Sequence, residues 1–321
     1  MRFCHLFYVP FTGLGLWNGY RGDIWFRHRS LIFKRFVVPS LLAQRSRDFY
    51  IWISWRPEDR ENPLIHDFCK ELSRVRGLSF IHTFAGLCFW DDKYADNEAG
   101  VRLKTHLSQT LPDLAPLVET SDYVLMTIQP SDDMYVPRSV EKIQNAAKVL
   151  LKQPWKKYVI GYKQGYIMNY GTKEIAEYST VGWKTDEIST YHTNTVPPFF
   201  TIIFPKEEFL NVEKHYKYTG PYKSHEDITD YFEFYDLGGR GFVVGTHGAN
   251  ISTVFHHRYK GKMIEKGEKD LLFMQMGIYF SDPYYIQEGV RLYTRKLFNK
   301  IPFQETLKKW YHKLPYQMQR L

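Results

Sequence analysis

Two adjacent carboxylates, Asp132 and Asp133, follow closely on an apolar run that ends at Ile128. In open α/β sheets ligands gather at the carboxyl ends of strands, so these acids stand where a metal ion and phosphate groups would be held. Carboxylate oxygens suit Mg²⁺ or Mn²⁺, and such an ion can neutralise the charge that develops on a departing diphosphate. The alternative is a surface turn whose acids favour the positive N-terminal end of the next helix.

The elements that must position these acids alternate along the first half of the chain. Apolar runs predict strands over residues 3–9, 49–55, 78–84 and 123–128. Apolar residues at helical spacing predict helices over 29–44, with Pro39 as a kink or restart, over 65–75, and from Pro137 onwards. This alternation predicts an α/β fold with a mostly parallel sheet flanked by helices.

The second half has a different pattern. Shorter aromatic runs predict strands over residues 158–162, 166–170 and 199–204, separated by turns that contain glycine. We therefore expect a less regular second half with antiparallel pieces. At 321 residues, with 44% hydrophobic content, the chain is long enough to bury a substantial core.

The positive charge is concentrated at the C-terminal end. The chain carries a net charge of +8, and residues 291–321 hold eight basic residues against the single acid Glu305. Within 297–314 an apolar stripe at helical spacing predicts a basic amphipathic helix, formed by Phe303, Leu307, Trp310 and Leu314. Such a helix could lie on an anionic membrane surface or pack its stripe on the domain. Because the charge is confined to this segment and no nucleic-acid-binding motif is visible, nucleic acid is not expected as a partner.

The location of the protein is predicted from what the sequence lacks. Three cysteines, none of them in a CxxC pair, indicate a reducing compartment. The N-terminal segment lacks the features of a signal peptide, and no apolar run is long enough to span a membrane. We expect a cytoplasmic protein, with peripheral contact at the inner face of a membrane as an option.

Several blocks of sequence together resemble one family. They are residues 29–33 (RSLIF), 36–44 (FVVPSLLAQ), 48–49 (DF), 125–133 (LMTIQPSDD) and 140–144 (VEKIQ), with a weaker match at 246–250 (THGAN). They resemble the signatures of the rhamnosyltransferase family, which is similar to the family 2 glycosyltransferases. The resemblance implies a GT-A-like, Rossmann-related catalytic domain over 1–290, followed by the basic segment 291–321. Residues 1–155 would bind a nucleotide-sugar and 156–290 the acceptor.

The resemblance also implies an activity and the residues that serve it. The implied activity would be metal-dependent, inverting transfer of a sugar from a nucleotide-diphosphate donor to a glycan or lipid-linked acceptor, with Mn²⁺ or Mg²⁺ as cofactor. The donor contacts would be Asp132, Asp133, Arg29 and Trp55, the metal ligands Asp133, Asp132 and His247, the catalytic base Glu226 or Asp227, and the acceptor contact Asn250.

Several of these roles have a structural alternative. His247 could be a turn histidine with local hydrogen bonds, and Glu226 and Asp227 could form the acidic first turn of a helix capped by Ser224. Arg29 could be paired at the surface, and Trp55 could belong to the core.

The sequence departs from the family pattern within the acidic turn itself. Pro130 stands where the family has the first Asp of its D-x-D motif, and Ile128 stands where it has Arg. This departure leaves open a catalytically impaired GT-A-like protein that binds sugar or nucleotide. Two further alternatives are a basic nucleic-acid-binding protein and a metal-dependent nuclease or phosphatase that uses Asp132 and Asp133.

Overall fold

Within the described residues, the larger of two sheets has seven strands. The computed structural model describes residues 1–12, 23–84, 97–180, 197–219, 225–247, 255 and 260–279. The strands of this sheet are β1 (Phe3–Pro10), β2 (Tyr50–Ser54), β3 (Phe80–Thr83), β4 (Tyr123–Ile128), β6 (Tyr158–Gly161), β9 (Phe200–Pro205) and β10 (Glu233–Asp236). They lie in the order β10-β6-β9-β4-β1-β2-β3. Only β9 runs antiparallel to its neighbours, so the prediction of a mixed α/β fold with a mostly parallel sheet is confirmed.

β1 is an interior strand of this sheet and is buried on both faces. Phe7 and Val9 pack into one hydrophobic cluster, whereas Leu6 and Tyr8 pack into another, because successive side chains of a strand point to opposite faces. A strand covered on both sides needs apolar residues at nearly every position. The sequence FCHLFYVP meets this requirement, which explains why the strand could be predicted.

Helices cover the large sheet, and the first helical segment begins earlier than predicted. It comprises α1 (Asp23–Ile32), a π-helical turn (Phe33–Val37) and α2 (Val38–Leu42). Pro39 lies in the first turn of α2, directly after the π-helical turn. Proline lacks an N–H and its ring crowds the carbonyl four residues earlier, so a widened turn in front of it accommodates it.

Among the remaining described helices, two match the sequence prediction, and four, one of them long, were not predicted. The further helices are α3 (Pro63–Leu72), α4 (Asn97–Val118), α5 (Ser139–Leu150), α6 (Lys206–Leu210), α7 (Val212–Thr219) and α8 (Lys266–Gln275). α4 contains two prolines, yet it buries a stripe of apolar residues against the large sheet, namely Leu103, Leu107, Leu111, Leu114 and Val118. α5 begins at Ser139 and not at Pro137, after Arg138 in the left-handed conformation.

The second sheet joins distant parts of the chain. Its strands are β5 (Met134–Tyr135), β7 (Gln164–Asn169), β8 (Ile175–Ser179), β11 (Arg240–Thr246) and β12 (Lys260–Met263), in the order β12-β8-β7-β11-β5. β11 runs antiparallel to β5 and parallel to β7. Because β5 starts immediately after Asp133, its pairing with β11 brings the end of β11 to the acidic turn.

Some predicted features lie elsewhere or beyond the described residues. Residues 225–230 form a 3₁₀ helix, His225–Asp230, where a longer helix was expected. The basic segment 291–321 lies outside the described part of the chain. Within the described part, none of the helices combines the length and the apolar character needed to span a bilayer.

Candidate functional site

The acidic turn lies at the point where the order of the large sheet reverses. From β1 the chain adds β2 and β3 on one side, and then returns to place β4 on the other side of β1. In open α/β sheets this topological switch point forms a crevice outside the carboxyl ends of the strands, and ligands bind there. Asp132 and Asp133 follow the carboxyl end of β4 and therefore lie at this crevice.

The backbone of the acidic turn is held by two side chains that the sequence analysis did not single out. The Gln129 amide nitrogen donates to the carbonyl oxygens of Pro130 and Asp133, each at 2.8 Å. The Tyr135 hydroxyl donates to the Ile128 carbonyl at 2.9 Å. The Gln129 amide oxygen is buried and has no hydrogen-bond partner within the described part of the chain.

Asp132 is buried and contacts two basic side chains, Arg29 and His247. Its Oδ2 accepts a hydrogen bond from Arg29 Nη1 in an ion pair, and lies 3.0 Å from His247 Nε2. The residue is only 7% exposed, and its backbone carbonyl accepts a hydrogen bond from the Tyr170 hydroxyl at 2.6 Å. Burial raises the pKa of Asp132, but Arg29 and His247 outweigh it, so the pKa lies below its ordinary value.

Asp133 is as buried as Asp132, but fewer favourable interactions offset the cost of burying its charge. Its Oδ1 accepts a hydrogen bond from the Gly245 backbone N–H at 2.7 Å. Burial, and then the neighbouring charge of Asp132, raise the pKa of Asp133 well above its ordinary value. Two buried carboxylates this close cannot both ionise without further positive charge. A surface turn was the alternative interpretation of this acidic pair, and the burial of both residues shows that it is wrong.

Arg29 reaches the acidic turn from the last turn of α1. It is 3% exposed, and its guanidinium carbon lies 5.2 Å from the centroid of the Trp25 ring. Its Nε is buried without a hydrogen-bond partner among the described residues. The alternative that Arg29 is paired at the surface is therefore wrong, because its partner Asp132 is buried with it.

Close packing between β11 and the acidic turn depends on Gly245. A Cβ atom at this position would lie 2.2 Å from the Asp132 carbonyl oxygen and 2.5 Å from the Tyr170 ring. Only glycine permits this approach, which also aligns the Gly245 N–H with Asp133. The sequence signal was the run of Gly245, Thr246 and His247 at the end of an apolar strand, of which only the histidine was selected.

The structure brings together four of the predicted site residues, Asp132, Asp133, Arg29 and His247. The prediction that Trp55 contacts the donor is wrong. This residue is fully buried among the rings of Phe11, Phe26 and Phe68, so its ring is not available to stack on a nucleotide base.

The remaining predicted site residues cannot be placed at this crevice. Glu226 and Asp227 fall in the 3₁₀ helix His225–Asp230, with side chains outside the described set. Asn250 also lies outside the described residues.

The chemistry of the site is suited to a hard divalent cation. Two carboxylates and an imidazole are ligand types that Mn²⁺ accepts. Within the described part of the chain, however, no three His, Cys, Asp or Glu side chains are arranged as a ready set of metal ligands. The Oδ2 atom of Asp132 is already shared by Arg29 and His247.

Comparisons with known proteins give only distant structural likenesses. No family model matches the chain, and no curated protein matches it. Residues 1–349 of TarS from S. aureus, a wall teichoic acid glycosyltransferase, are 11% identical with a TM-score of 0.33, over 97% of this chain and 78% of that one. A longer TarS structure is 12% identical with a TM-score of 0.31, over 99% of this chain and 50% of that one. Mannose-6-phosphate isomerase from Helicobacter pylori is 12% identical with a TM-score of 0.27, over 76% of this chain and 97% of that one. Likenesses this distant do not bear on function.

Proposed function

We propose that the chain is a glycosyltransferase that moves a sugar from a nucleotide-diphosphate donor to a glycan or lipid-linked acceptor, with inversion at the anomeric carbon. One observation carries the proposal: two buried carboxylates, a buried arginine and a histidine converge at the switch point of a mostly parallel sheet. A merely structural ion pair would not need a second buried acid with a raised pKa beside it.

The donor's diphosphate is proposed to bind at the acidic turn. Arg29 presents a planar guanidinium, which can hold phosphate oxygens in a bidentate manner. Asp132, Asp133 and His247 would hold Mn²⁺ or Mg²⁺. When bound, such a cation supplies positive charge that stabilises the departing diphosphate. The burial of the site excludes water and strengthens these electrostatic interactions.

The acceptor side of the proposal rests on the sequence resemblance. Glu226 or Asp227 would take the proton from the attacking hydroxyl, which is the role of a general base. Asn250 would contact the acceptor. The segment 297–314 would contact an anionic membrane surface, which suits a lipid-linked acceptor.

A second candidate function is binding of sugar or nucleotide without transfer. Pro130 favours it, because a proline offers neither a side-chain carboxylate nor a backbone N–H where the family has an acid. Both candidates bind a nucleotide, but only the first transfers a sugar, so an assay of transfer distinguishes them.

Binding is tested by thermal unfolding with UDP, GDP, CDP or dTDP, each with and without Mn²⁺. A ligand at about 100 times its dissociation constant stabilises the folded state by about 2.7 kcal/mol, a readily measured shift. We expect one nucleotide to stabilise the protein more when Mn²⁺ is present. Asp133→Asn should abolish this gain, whereas Asp113→Asn, which alters an exposed acid on α4, should leave it unchanged.

Transfer is tested with the corresponding nucleotide-sugars, with water or an added soluble glycan as the acceptor of the sugar, by measuring release of the nucleoside diphosphate by mass spectrometry. Release that Asp133→Asn removes supports the transferase. Binding without any release supports the second candidate. No response to any of the four nucleotides, with or without Mn²⁺, would contradict both.

A further inference from the structure

A lysine-rich stretch lies at the edge of the large sheet where its parallel strands begin. Residues 142–157 contain five lysines and no acidic residue, although the chain outside 291–321 is almost balanced in charge. The stretch comprises most of α5 and the connection from α5 to β6. Its last residues therefore lie beside the start of β6, at the edge of the sheet opposite the crevice at the acidic turn.

Most of the positive charge at this edge is not neutralised by acids. Lys156 is paired with Glu233 at 2.8 Å. Asp122, the acid just before β4, already accepts a hydrogen bond from the Arg2 backbone N–H at 2.7 Å. Within the described part of the chain, three exposed lysines of the stretch have no acidic partner, namely Lys148, Lys152 and Lys157. These three lysines can meet an anionic partner without breaking an existing ion pair.

Apolar side chains are exposed among these lysines. Val149 is 54% exposed and Trp155 is 41% exposed. The Trp155 ring lies beside Tyr123, with the ring centroids 5.8 Å apart, and Lys148 Nζ lies 5.7 Å from the centroid of the Phe3 ring. Because Phe3 and Tyr123 are register partners on β1 and β4, these contacts form one continuous surface of lysines and aromatic rings.

We infer that this lysine face, formed by Lys148, Val149, Lys152, Trp155 and Lys157, binds an anionic membrane surface. Lysines near such a surface are attracted by its negative potential, and the aliphatic stem of a lysine can cover apolar surface while its ammonium group reaches the headgroups. Tryptophan is suited to the boundary between headgroups and acyl chains, because its ring is apolar and its N–H is polar.

The exposed apolar side chains favour a lipid surface over a nucleic acid. A phosphate backbone would neutralise the lysines, but it would offer no apolar environment to Val149. The inference does not depend on the proposed function, and it concerns a face distinct from the segment 297–314. The crevice lies at the other end of β4, roughly 20 Å away at about 3.3 Å per residue. An acceptor anchored in the same membrane would have to extend across that distance.

The test measures binding of the full chain to vesicles by co-sedimentation. The vesicles contain either phosphatidylcholine alone or equal amounts of phosphatidylcholine and phosphatidylglycerol. The test variant combines Lys148→Gln, Lys152→Gln and Lys157→Gln. The matched control loses the same charge from exposed lysines on α3, β12 and α8, by combining Lys70→Gln, Lys262→Gln and Lys266→Gln. Segment 297–314 is unaltered in both.

We expect wild type to bind the vesicles that contain phosphatidylglycerol, and to bind phosphatidylcholine alone at least tenfold more weakly. The test variant should bind the anionic vesicles at least tenfold more weakly than wild type, because each lysine near an anionic surface contributes about 1 kcal/mol. The control variant should match wild type. Added salt should weaken the wild-type binding, since it screens exposed charges.

Fluorescence gives a second readout that does not require the test variant to fold. Lipids brominated on their acyl chains quench tryptophans that enter the bilayer boundary. Vesicles of equal amounts of phosphatidylglycerol and brominated phosphatidylcholine should quench wild type, and Trp155→Phe should lose part of this quenching.

Three results would overturn the inference. The first is equal affinity of wild type and the folded test variant for anionic vesicles, which would place any membrane contact elsewhere in the chain. The second is failure of wild type to bind these vesicles, including the case in which it binds a DNA duplex instead. The third is quenching that Trp155→Phe leaves unchanged. By contrast, failure of wild type to bind any nucleoside diphosphate would remove the proposed function and leave the lysine face unaffected.

Discussion

Replacing Gly245 with alanine should separate β11 from the acidic turn. The added methyl group would lie 2.2 Å from the Asp132 carbonyl oxygen, whereas real Cβ contacts essentially never fall below 3.0 Å. Either β11 or the backbone of the acidic turn must therefore move away by about 0.8 Å. The Tyr170 ring cannot give way, because it is fully buried and its hydroxyl is bonded to the same carbonyl. The hydrogen bond from the Gly245 N–H to Asp133 therefore stretches beyond its present 2.7 Å.

The expected loss of stability has two parts. Forcing a methyl group into a close-packed region typically costs about 1–3 kcal/mol. Losing a hydrogen bond to a buried charged or polar group costs roughly 1–3 kcal/mol more. We therefore expect the free energy of unfolding of Gly245→Ala to fall by roughly 2–6 kcal/mol, together with weaker binding of nucleoside diphosphate and Mn²⁺.

Urea unfolding followed by circular dichroism measures the first effect, and the thermal shift with nucleotide measures the second. Gly267→Ala is the control, since a Cβ there meets no atom within 4 Å. It lies in α8, where alanine is a better helix former than glycine, so stability should be unchanged or slightly higher. A Gly245→Ala protein within 0.5 kcal/mol of wild type would show that the acidic turn is not confined by β11.

Two further predictions concern buried polar side chains. Burial lowers the pKa of His5 to about 3, so between pH 6.5 and 3 the unfolded chain binds a proton that the folded chain does not. The free energy of unfolding should then fall by roughly 1.4 kcal/mol for each pH unit below 6.5, and His5→Gln should flatten this slope in urea unfolding at several pH values. An unchanged slope would contradict the assignment. Gln44 donates to the carbonyls of Tyr135 and Val136 and accepts from the Val140 N–H, so Gln44→Leu should cost about 2–4 kcal/mol in urea unfolding, against near zero for the exposed Gln153→Leu. A loss below 0.5 kcal/mol at Gln44 would show that these bonds do not hold the segment after the acidic turn.

The central strands could be predicted because burial on both faces leaves a continuous apolar run that turn residues interrupt. β1 and β4 show this pattern clearly. α4 has an equally regular stripe, but Pro112 and Pro116 lie inside it, and proline ordinarily argues against a helix interior. Tertiary packing of the leucines on the large sheet outweighs that local preference.

The start of the first helix was misplaced for a reason connected with the site. The inner face of α1 carries Trp25 and Arg29 one turn apart, and Arg29 is buried although it is charged. Apolar periodicity counts a buried arginine as a surface residue, so the predicted helix began only at residue 29. Arg29, a predicted site residue, thus interrupts the apolar periodicity from which α1 would be predicted.

The acidic turn could be found from local sequence, but its partners could not. Gly245 and Asp133 are 112 residues apart, and Tyr170 and Asp132 are 38 apart. No spacing rule links them, because the contact arises from the pairing of β5 with β11. His247 was selected because it follows an apolar run and because the family resemblance implied a histidine there, but its contact with Asp132 depends on the same pairing.

The balance of charge at the turn explains why two carboxylates are buried there at all. Well-packed apolar residues would usually be at least as stable as a buried ion pair, so stability alone does not account for Asp132 and Arg29. Asp133 strengthens this argument, since it has a backbone N–H but no cation of its own, and its raised pKa reflects that deficit. A site with two acids and one fixed cation is suited to receive further positive charge.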